Sequence, residues 1–411
     1  MRLSDTSRLP TTFNRLAWSN LAAQSAEQIA LAAAPIVAVL MLGVGEGETG
    51  LLQTALTAPF VLVAIPAGLL ADRVSRRLLM ATAEALRALA LLAILAAMAF
   101  HVITLSLLAA LGFAAVCGTV VFSVAAPALV PSLVTPALLP AANARIELAR
   151  TVAFAAGPAL GGMLVGWIGG APAFGCAAAL SVLAVLCLVG IHEPARPPAP
   201  VRHPLQDIRE GVAFVLHHAL LRPVFITQVI FNTAHFLLLA VFVPYAVHRL
   251  QLSATGVGSV LSMFGVGMVI GALLATRVMR RLPFGVVIGL GPVTAFVASL
   301  LMALTTLVPS PLLAGLSFFM LGAGPILWVI STTTLRQSVT PAGLLGRVSA
   351  INILSYVARP LGSLLGAIVG GTYGAAACLY LVAALFGAQA LFILMSPLVA
   401  LIHQPEMQQP A

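Results

Sequence analysis

The sequence predicts an all-α integral membrane protein of 12 transmembrane helices, arranged as two parallel six-helix pseudo-repeats. Three observations carry that prediction. First, hydrophobic residues make up 61% of the 411-residue chain and charged ones only 8%, against roughly 25% charged in an average soluble domain. A soluble core of this size could not hide so much apolar surface. Second, the apolar residues fall in runs of about 20 or more, the length that crosses a bilayer. Third, a nine-residue segment occurs twice. Leu69-Leu70-Ala71-Asp72-Arg73-Val74-Ser75-Arg76-Arg77 returns as Leu273-Leu274-Ala275-Thr276-Arg277-Val278-Met279-Arg280-Arg281, with seven of nine positions unchanged at an offset of 204. Internal repeats of this kind build secondary transporters.

The spans are placed near 14–42, 49–71, 78–100, 102–130, 141–168, 171–191, 223–247, 254–276, 283–307, 310–334, 347–370 and 375–402. That gives an N-terminal bundle over 1–191, a cytoplasmic linker over 192–222, a C-terminal bundle over 223–402 and a short cytoplasmic tail over 403–411. Orientation follows from arginine, which supplies all 20 basic residues. Sixteen of them (Arg2, Arg8, Arg15, Arg73, Arg76, Arg77, Arg145, Arg196, Arg202, Arg209, Arg222, Arg277, Arg280, Arg281, Arg336 and Arg347) fall on one side, and only Arg249 on the other. The positive-inside rule then makes both termini cytoplasmic. The net charge of +9 therefore reports orientation, and no nucleic-acid partner is expected. The first apolar run is too long for a cleavable signal peptide and lacks a small-residue cleavage site, so it reads as a span. Cys117, Cys176, Cys187 and Cys378 all lie within spans without metal-ligand spacing, and read as small buried hydrophobes.

The linker opens on a Pro-rich extended stretch, His192-Glu193-Pro194-Ala195-Arg196-Pro197-Pro198. An amphipathic segment follows, with Leu205, Ile208, Val212 and Val215 at helical spacing, and is expected to lie on the membrane surface. The repeat continues elsewhere. Val134-Thr135-Pro136-Ala137 recurs as Val339-Thr340-Pro341-Ala342, and Arg145 stands 13 before Pro158 as Arg347 does before Pro360. Six spans per repeat is an even number, so the halves are parallel and both Arg-rich loops face the cytoplasm.

With these motifs in place, the chain resembles the major facilitator superfamily over essentially its whole length. Gly68 through Arg77 is similar to that superfamily's loop between spans 2 and 3, with Ser75 where glycine is usual. Pro131-Ser132-Leu133-Val134, Ala141-Ala142-Asn143 and Gly157-Pro158-Ala159-Leu160-Gly161-Gly162 resemble the branch of the enterobactin exporter and macrolide-efflux proteins, sometimes called transmembrane secretion effectors. Gly157, Pro158, Gly161 and Gly162 also resemble the antiporter motif of drug–proton exchangers. The resemblance implies export of a small molecule across a bacterial cytoplasmic membrane, and a cytoplasmic gate joining Asp72 and Arg73 to the start of span 11 at Arg347.

Asp72 ends span 2, where the helix carbonyls favour a nearby cation. Arg76 is a local partner for it, and a solvated loop charge is the plainer reading. Thr276 cannot carry the matching charge in the second copy. Span 1 places Asn20, Gln24, Glu27 and Gln28 on one face, and span 7 repeats the stripe as Gln228, Asn232 and His235. Polar groups at that depth face a cavity or bond to other helices; the resemblance implies the cavity. Glu27 lies near mid-span and is the candidate proton carrier, since a carboxylate there can be neutral in one state and ionised in another. No Asp or Glu occurs between Glu210 and Glu406, so carboxylate coupling belongs to the first half. His235 reads either as a relay or ligand group, or as a core histidine.

Glu84 with Arg87, and Glu147 with Arg150, are acid–base pairs at i, i+3, readable as local neutral pairs or as a rearranging network. Arg359 would either attract an anionic substrate group or face carbonyls and water. The Gly157–Gly162 face offers close helix packing, which is either plain packing or a seal against ion leakage. No nucleophile–base set, metal cluster or GxxxxGK[ST] loop is found, so neither an enzyme nor an ATP-driven pump is expected. The expected function is proton-coupled export of small amphipathic molecules by alternating access, with a siderophore or other secondary metabolite as the alternative cargo. An importer or a non-transporting membrane protein fits less well. The expected partners are a small-molecule substrate, protons and the lipid bilayer, with no cofactor and no metal, for a chain acting as a monomer.

Overall fold

The structure is a computed structural model and describes residues 9–193, 204–341, 344, 348 and 355–405; for Asp72 and residues 204–208 it describes the backbone alone. The helices are α1 (Thr11–Leu42), α2 (Glu46–Thr57), α3 (Pro59–Leu62), α4 (Ala64–Arg73), α5 (Arg76–Ala99), α6 (Leu105–Leu133), α7 (Leu139–Ile168) and α8 (Gly170–Val189). They continue as α9 (Pro204–His217), α10 (Leu221–His248), α11 (Ala254–Arg281), α12 (Phe284–Leu304), α13 (Pro311–Val339) and α14 (Ala358–Leu394). Among the described residues, eleven helical stretches are long and apolar enough to cross a bilayer. The last, Ser355–Leu394, breaks at Gly374, where φ is +80° and ψ 172°. Only glycine adopts that backbone without strain. The break makes two spans of one helix and brings the total to twelve.

Several helix starts are written in hydroxyl side chains. Ser75, Thr104, Ser253 and Ser310 each accept from the backbone N–H three residues on, at 3.2 to 3.4 Å, the N-cap bond that satisfies an orphan donor. Ser75 also explains a difference between the two motif copies. In the first copy α4 stops at Arg73 and Ser75 caps α5. In the second copy Met279 stands in that place, and α11 runs on through Arg281. Methionine has no acceptor with which to start a new helix, so the expected loop after residue 276 is helical.

The chain forms two compact units. Residues up to Leu42 with those from Ala55 onward make the first; Gly43–Thr54 with the residues after the linker's Pro-rich stretch make the second. In the first unit α1 packs on α7 and α8, α5 on α6 and α8, and α4 on α6. In the second, α10 packs on α14, α11 on α13, and α12 on α13 and α14. The pairings repeat, as the sequence does. Phe13, Met80, Phe122 and Leu188 anchor one core; Ile288, Trp328, Leu335 and Ile393 anchor the other. Large apolar side chains are nonetheless outward-facing, Leu89, Trp167 and Leu312 among them. That is costly in water and natural in hydrocarbon: this is a multi-pass membrane protein. The amphipathic helix α9 exposes Arg209 and Glu210 and places Val212 and Val215 in the second core. Leu205 and Ile208 belong to the stretch described by backbone alone.

Candidate functional site

Each unit has its own polar centre. In the first, Arg87 of α5 is 2% exposed and its ion-pair partner Glu84 is 0% exposed, 3.0 Å away. The Arg87 guanidinium also donates to the Ala23 carbonyl of α1 at 2.8 Å and to the Thr119 hydroxyl of α6 at 2.6 Å. One side chain thus ties three helices together. The donor set has a simple logic: a buried guanidinium needs charge compensation and several acceptors. Arg87 also lines a small, mostly apolar cavity together with Glu27 of α1, Leu91, Thr119 and Phe174 of α8. Glu27, half-buried, is one turn from Ala23. Two carboxylates of the first half therefore lie about one arginine and its cavity.

The rest of the span-1 stripe divides. Asn20 is buried and its amide donates to the Ile146 carbonyl of α7 at 3.3 Å. Gln28 is buried at the same crossing, where a β-carbon on Gly157 would collide with the Gln28 β-carbon, and one on Gly161 would come 2.9 Å from the Ile29 carbonyl oxygen. Gln24 is half-buried. Gly157 and Gly161 thus let α7 lie directly on α1, with Pro158 inside a continuous helix and Gly162 buried beside them. The second acid–base pair differs from the first in burial. Glu147 and Arg150 form a two-point contact but are 56% and 39% exposed.

At the Arg-rich loop, Arg73 is exposed, Arg76 donates to the Ala128 carbonyl, and Arg77 to the Ile191 carbonyl at 2.8 Å. Glu193, not singled out by the sequence reading, accepts from the Ser75 hydroxyl at 2.7 Å and the Arg77 N–H at 3.0 Å. A carboxylate at the start of α5 suits the helix dipole; the only signal for it was an acid just beyond span 6. The expected gate contacts of Asp72 cannot be assigned, since its side chain and Arg347 lie outside the described residues.

In the second unit, Asn232 is buried, its amide donates to the Gln228 carbonyl at 2.9 Å, and its oxygen accepts from Arg359 Nε at 3.2 Å. The Arg359 guanidinium carbon is 3.7 Å from the centre of the Tyr356 ring and 5.2 Å from that of Phe236. His235 stacks on Phe231 at 5.6 Å and lies 5.2 Å from Phe264, with its Nδ1 buried and lacking a hydrogen-bond partner. Arg359 occupies the position that Gly157 holds in the first half, and Asn232 that of Gln28. The sequence singled out Arg359, Asn232 and His235, but not the rings around them.

Two units with repeated helix pairings and buried polar centres define the class as a membrane transporter built by duplication. The sequence profile of the Major Facilitator Superfamily matches residues 16–363, and the chain belongs to that superfamily. It is 27% identical over 248 residues to the enterobactin exporter EntS of Escherichia coli O1:K1 / APEC, covering 60% of this chain and 58% of that one. The Shigella flexneri EntS is 28% identical over 218 residues, covering 53% and 50%. The chain thus spans between 50% and 58% of the length of these relatives. Among solved structures, a POT family transporter in complex with 5-aminolevulinic acid superposes with TM-score 0.76 at 12% identity, over 95% of this chain and 97% of that one. The nucleoside transporter NupG gives 0.73 at 15%, over 93% and 99%. A bacterial homologue of the human lysosomal transporter Spinster gives 0.70 at 14%, over 96% of each. At such identities the likeness shows the fold.

Proposed function

We propose that the chain is a proton-coupled exporter of small amphipathic organic molecules, working by alternating access in a bacterial cytoplasmic membrane with both termini cytoplasmic. The observation that carries this is the placement of Glu27 and Arg87 on one cavity inside the first unit. A carboxylate beside a guanidinium can hold its charge in an apolar setting, and can take up a proton when the cation turns to another acceptor. Arg87 has such an acceptor in Glu84. Proton uptake and release at Glu27 would then exchange against cargo. The relation to EntS favours a siderophore or similar secondary metabolite as an alternative cargo within the same class.

The test is accumulation of a labelled macrolide, and separately of 1-naphthoate, in inverted membrane vesicles under an imposed pH gradient, acidic inside. Wild type is expected to accumulate at least one of them only while the gradient lasts, and Glu27→Gln to lose that dependence. Accumulation that ignored the gradient and tolerated Glu27→Gln would end the proton-coupling proposal.

A further inference from the structure

The second unit holds a cationic cluster that proton coupling at Glu27 does not use. Arg359 stands at the head of α14, one residue before Pro360, and Asn232 fixes its Nε at 3.2 Å. The guanidinium carbon lies over the Tyr356 ring at 3.7 Å and over the Phe236 ring at 5.2 Å from their centres. A guanidinium carries five N–H donors, all in its plane. The Asn232 bond and the Tyr356 ring restrain the group, and a restrained guanidinium suits a planar carboxylate. A pre-set fork loses less freedom on binding than a flexible cation would.

A second observation points to a ligand at the same place. His235 is three residues along α10 from Asn232, and its ring meets at 5.5 Å the same Phe236 ring that lies 5.2 Å from the Arg359 guanidinium carbon. Its ring is held among Phe231, Phe236 and Phe264, yet its Nδ1 is buried with no hydrogen-bond partner. Buried polar atoms are normally satisfied, and each exception asks for an explanation; a bound oxygen or hydroxyl would supply one here. The surrounding rings offer stacking surfaces for a planar apolar body. The cluster is also particular to this half. At the corresponding point of the first unit Gly157 lies against Gln28 without room for a side chain, so the cation is no shared scaffold feature.

We infer that Arg359, Asn232 and His235 form a subsite for the carboxylate, or a similar planar oxyanion, of an aromatic ligand. Arg359 takes the anion, Asn232 positions Arg359, and His235 meets a neighbouring polar atom of the ligand. This deepens the export reading and rests on it in taking the ligand to be cargo. The same chemistry would suit the anionic headgroup of a lipid, so the test separates the two.

The experiment is equilibrium binding to the purified full-length protein in neutral detergent at a single pH, by titration calorimetry. The probes are 1-naphthoate and its neutral analogue 1-naphthamide, with phosphatidylglycerol as competitor. Naphthoate is expected to bind wild type about tenfold or more tightly than naphthamide, the ratio that a charge-assisted hydrogen bond supplies. Arg359→Gln should bring the two to equal affinity. Arg359→Lys keeps the charge without the stacked fork and should retain only part of the preference, which guards against a misfolded Gln variant. Failure of naphthoate to bind at millimolar concentration, equal binding of both probes to wild type, or a preference that survives Arg359→Gln would each overturn the subsite. Displacement of naphthoate by phosphatidylglycerol but not by benzoate would assign the site to lipid and overturn the cargo assignment. Because binding is read without a gradient, loss of proton-driven accumulation in vesicles leaves this result untouched.

Discussion

Removing one member of the buried Glu84–Arg87 pair should harm the fold far more than removing both. Arg87→Met deletes the 3.0 Å ion pair and the bonds to Ala23 and Thr119, and strands a carboxylate that is 0% exposed. Glu84→Leu takes the ion-pair partner from a guanidinium that is 2% exposed. Breaking a buried pair from one side costs about 3–5 kcal/mol, since the remaining charge is left uncompensated. The losses at Ala23 and Thr119 are smaller, because the Ala23 carbonyl belongs to a helix and the Thr119 hydroxyl also reaches the Ala115 carbonyl at 3.5 Å. The double variant carries neither charge of the pair, keeps Glu27 on the cavity, and should lie closer to wild type than either single variant. The coupling between the two sites is therefore expected to be about 3 kcal/mol or more in favour of the pair. Thermal unfolding in detergent, followed by tryptophan fluorescence across the four proteins of the cycle, measures it. Two mild single variants whose effects simply add would refute the reasoning.

Two further outcomes follow from packing and from a titrating cap. Gly157→Ala should destabilise the first unit by about 1–3 kcal/mol, because the added methyl meets Gln28 of α1; Gly175→Ala, whose methyl would meet only the tip of Leu95 at 3.6 Å, should be nearly neutral in the same unfolding assay. His218, between α9 and α10, accepts at Nδ1 from the Leu220 and Leu221 N–H groups at 3.2 and 3.4 Å, and burial lowers its pKa from the ordinary 6.5. The unfolded imidazole then binds the proton more readily, so the cap contributes fully above pH 6.5 and is lost as pH falls from there towards the lowered value. Hydrogen exchange of residues 218–224, corrected for intrinsic chemistry, should quicken over that range in wild type and show no such step in His218→Ala. A flat wild-type profile would count against the cap.

The spans were legible because hydrocarbon imposes one rule on every segment, and the six-helix repeat because duplication left its register in the sequence. The gap placed between 370 and 375 coincides with the break at Gly374, a position that needs glycine. Span 2, read as one run, is divided near Ala58 and Val63, where Pro59 and Pro66 follow the two joints and disfavour an unbroken helix. The helical continuation through Arg281 depends on a single residue, Met279 in place of a capping serine. Burial was the least legible property. Glu84–Arg87 and Glu147–Arg150 share residue types and spacing, and only the packing of α5 between α6 and α8 makes one pair interior. Likewise the sequence offered Arg359 as a lone charge; its rings and Asn232 come together only when α14 packs on α10.

The two arginines also differ in how they can enter a bilayer during synthesis. Insertion of a single arginine at the centre of a helix costs about 2.5–3.5 kcal/mol on the translocon scale. Glu84 and Arg87 are three residues apart on one helix, so span 3 can leave the translocon already neutralised. Arg359 receives its hydrogen-bond acceptor Asn232 and the ring of Phe236 from span 7, made well over a hundred residues earlier. That bond and that ring contact form only once span 11 meets span 7, an order of assembly that the Glu84–Arg87 pair does not need.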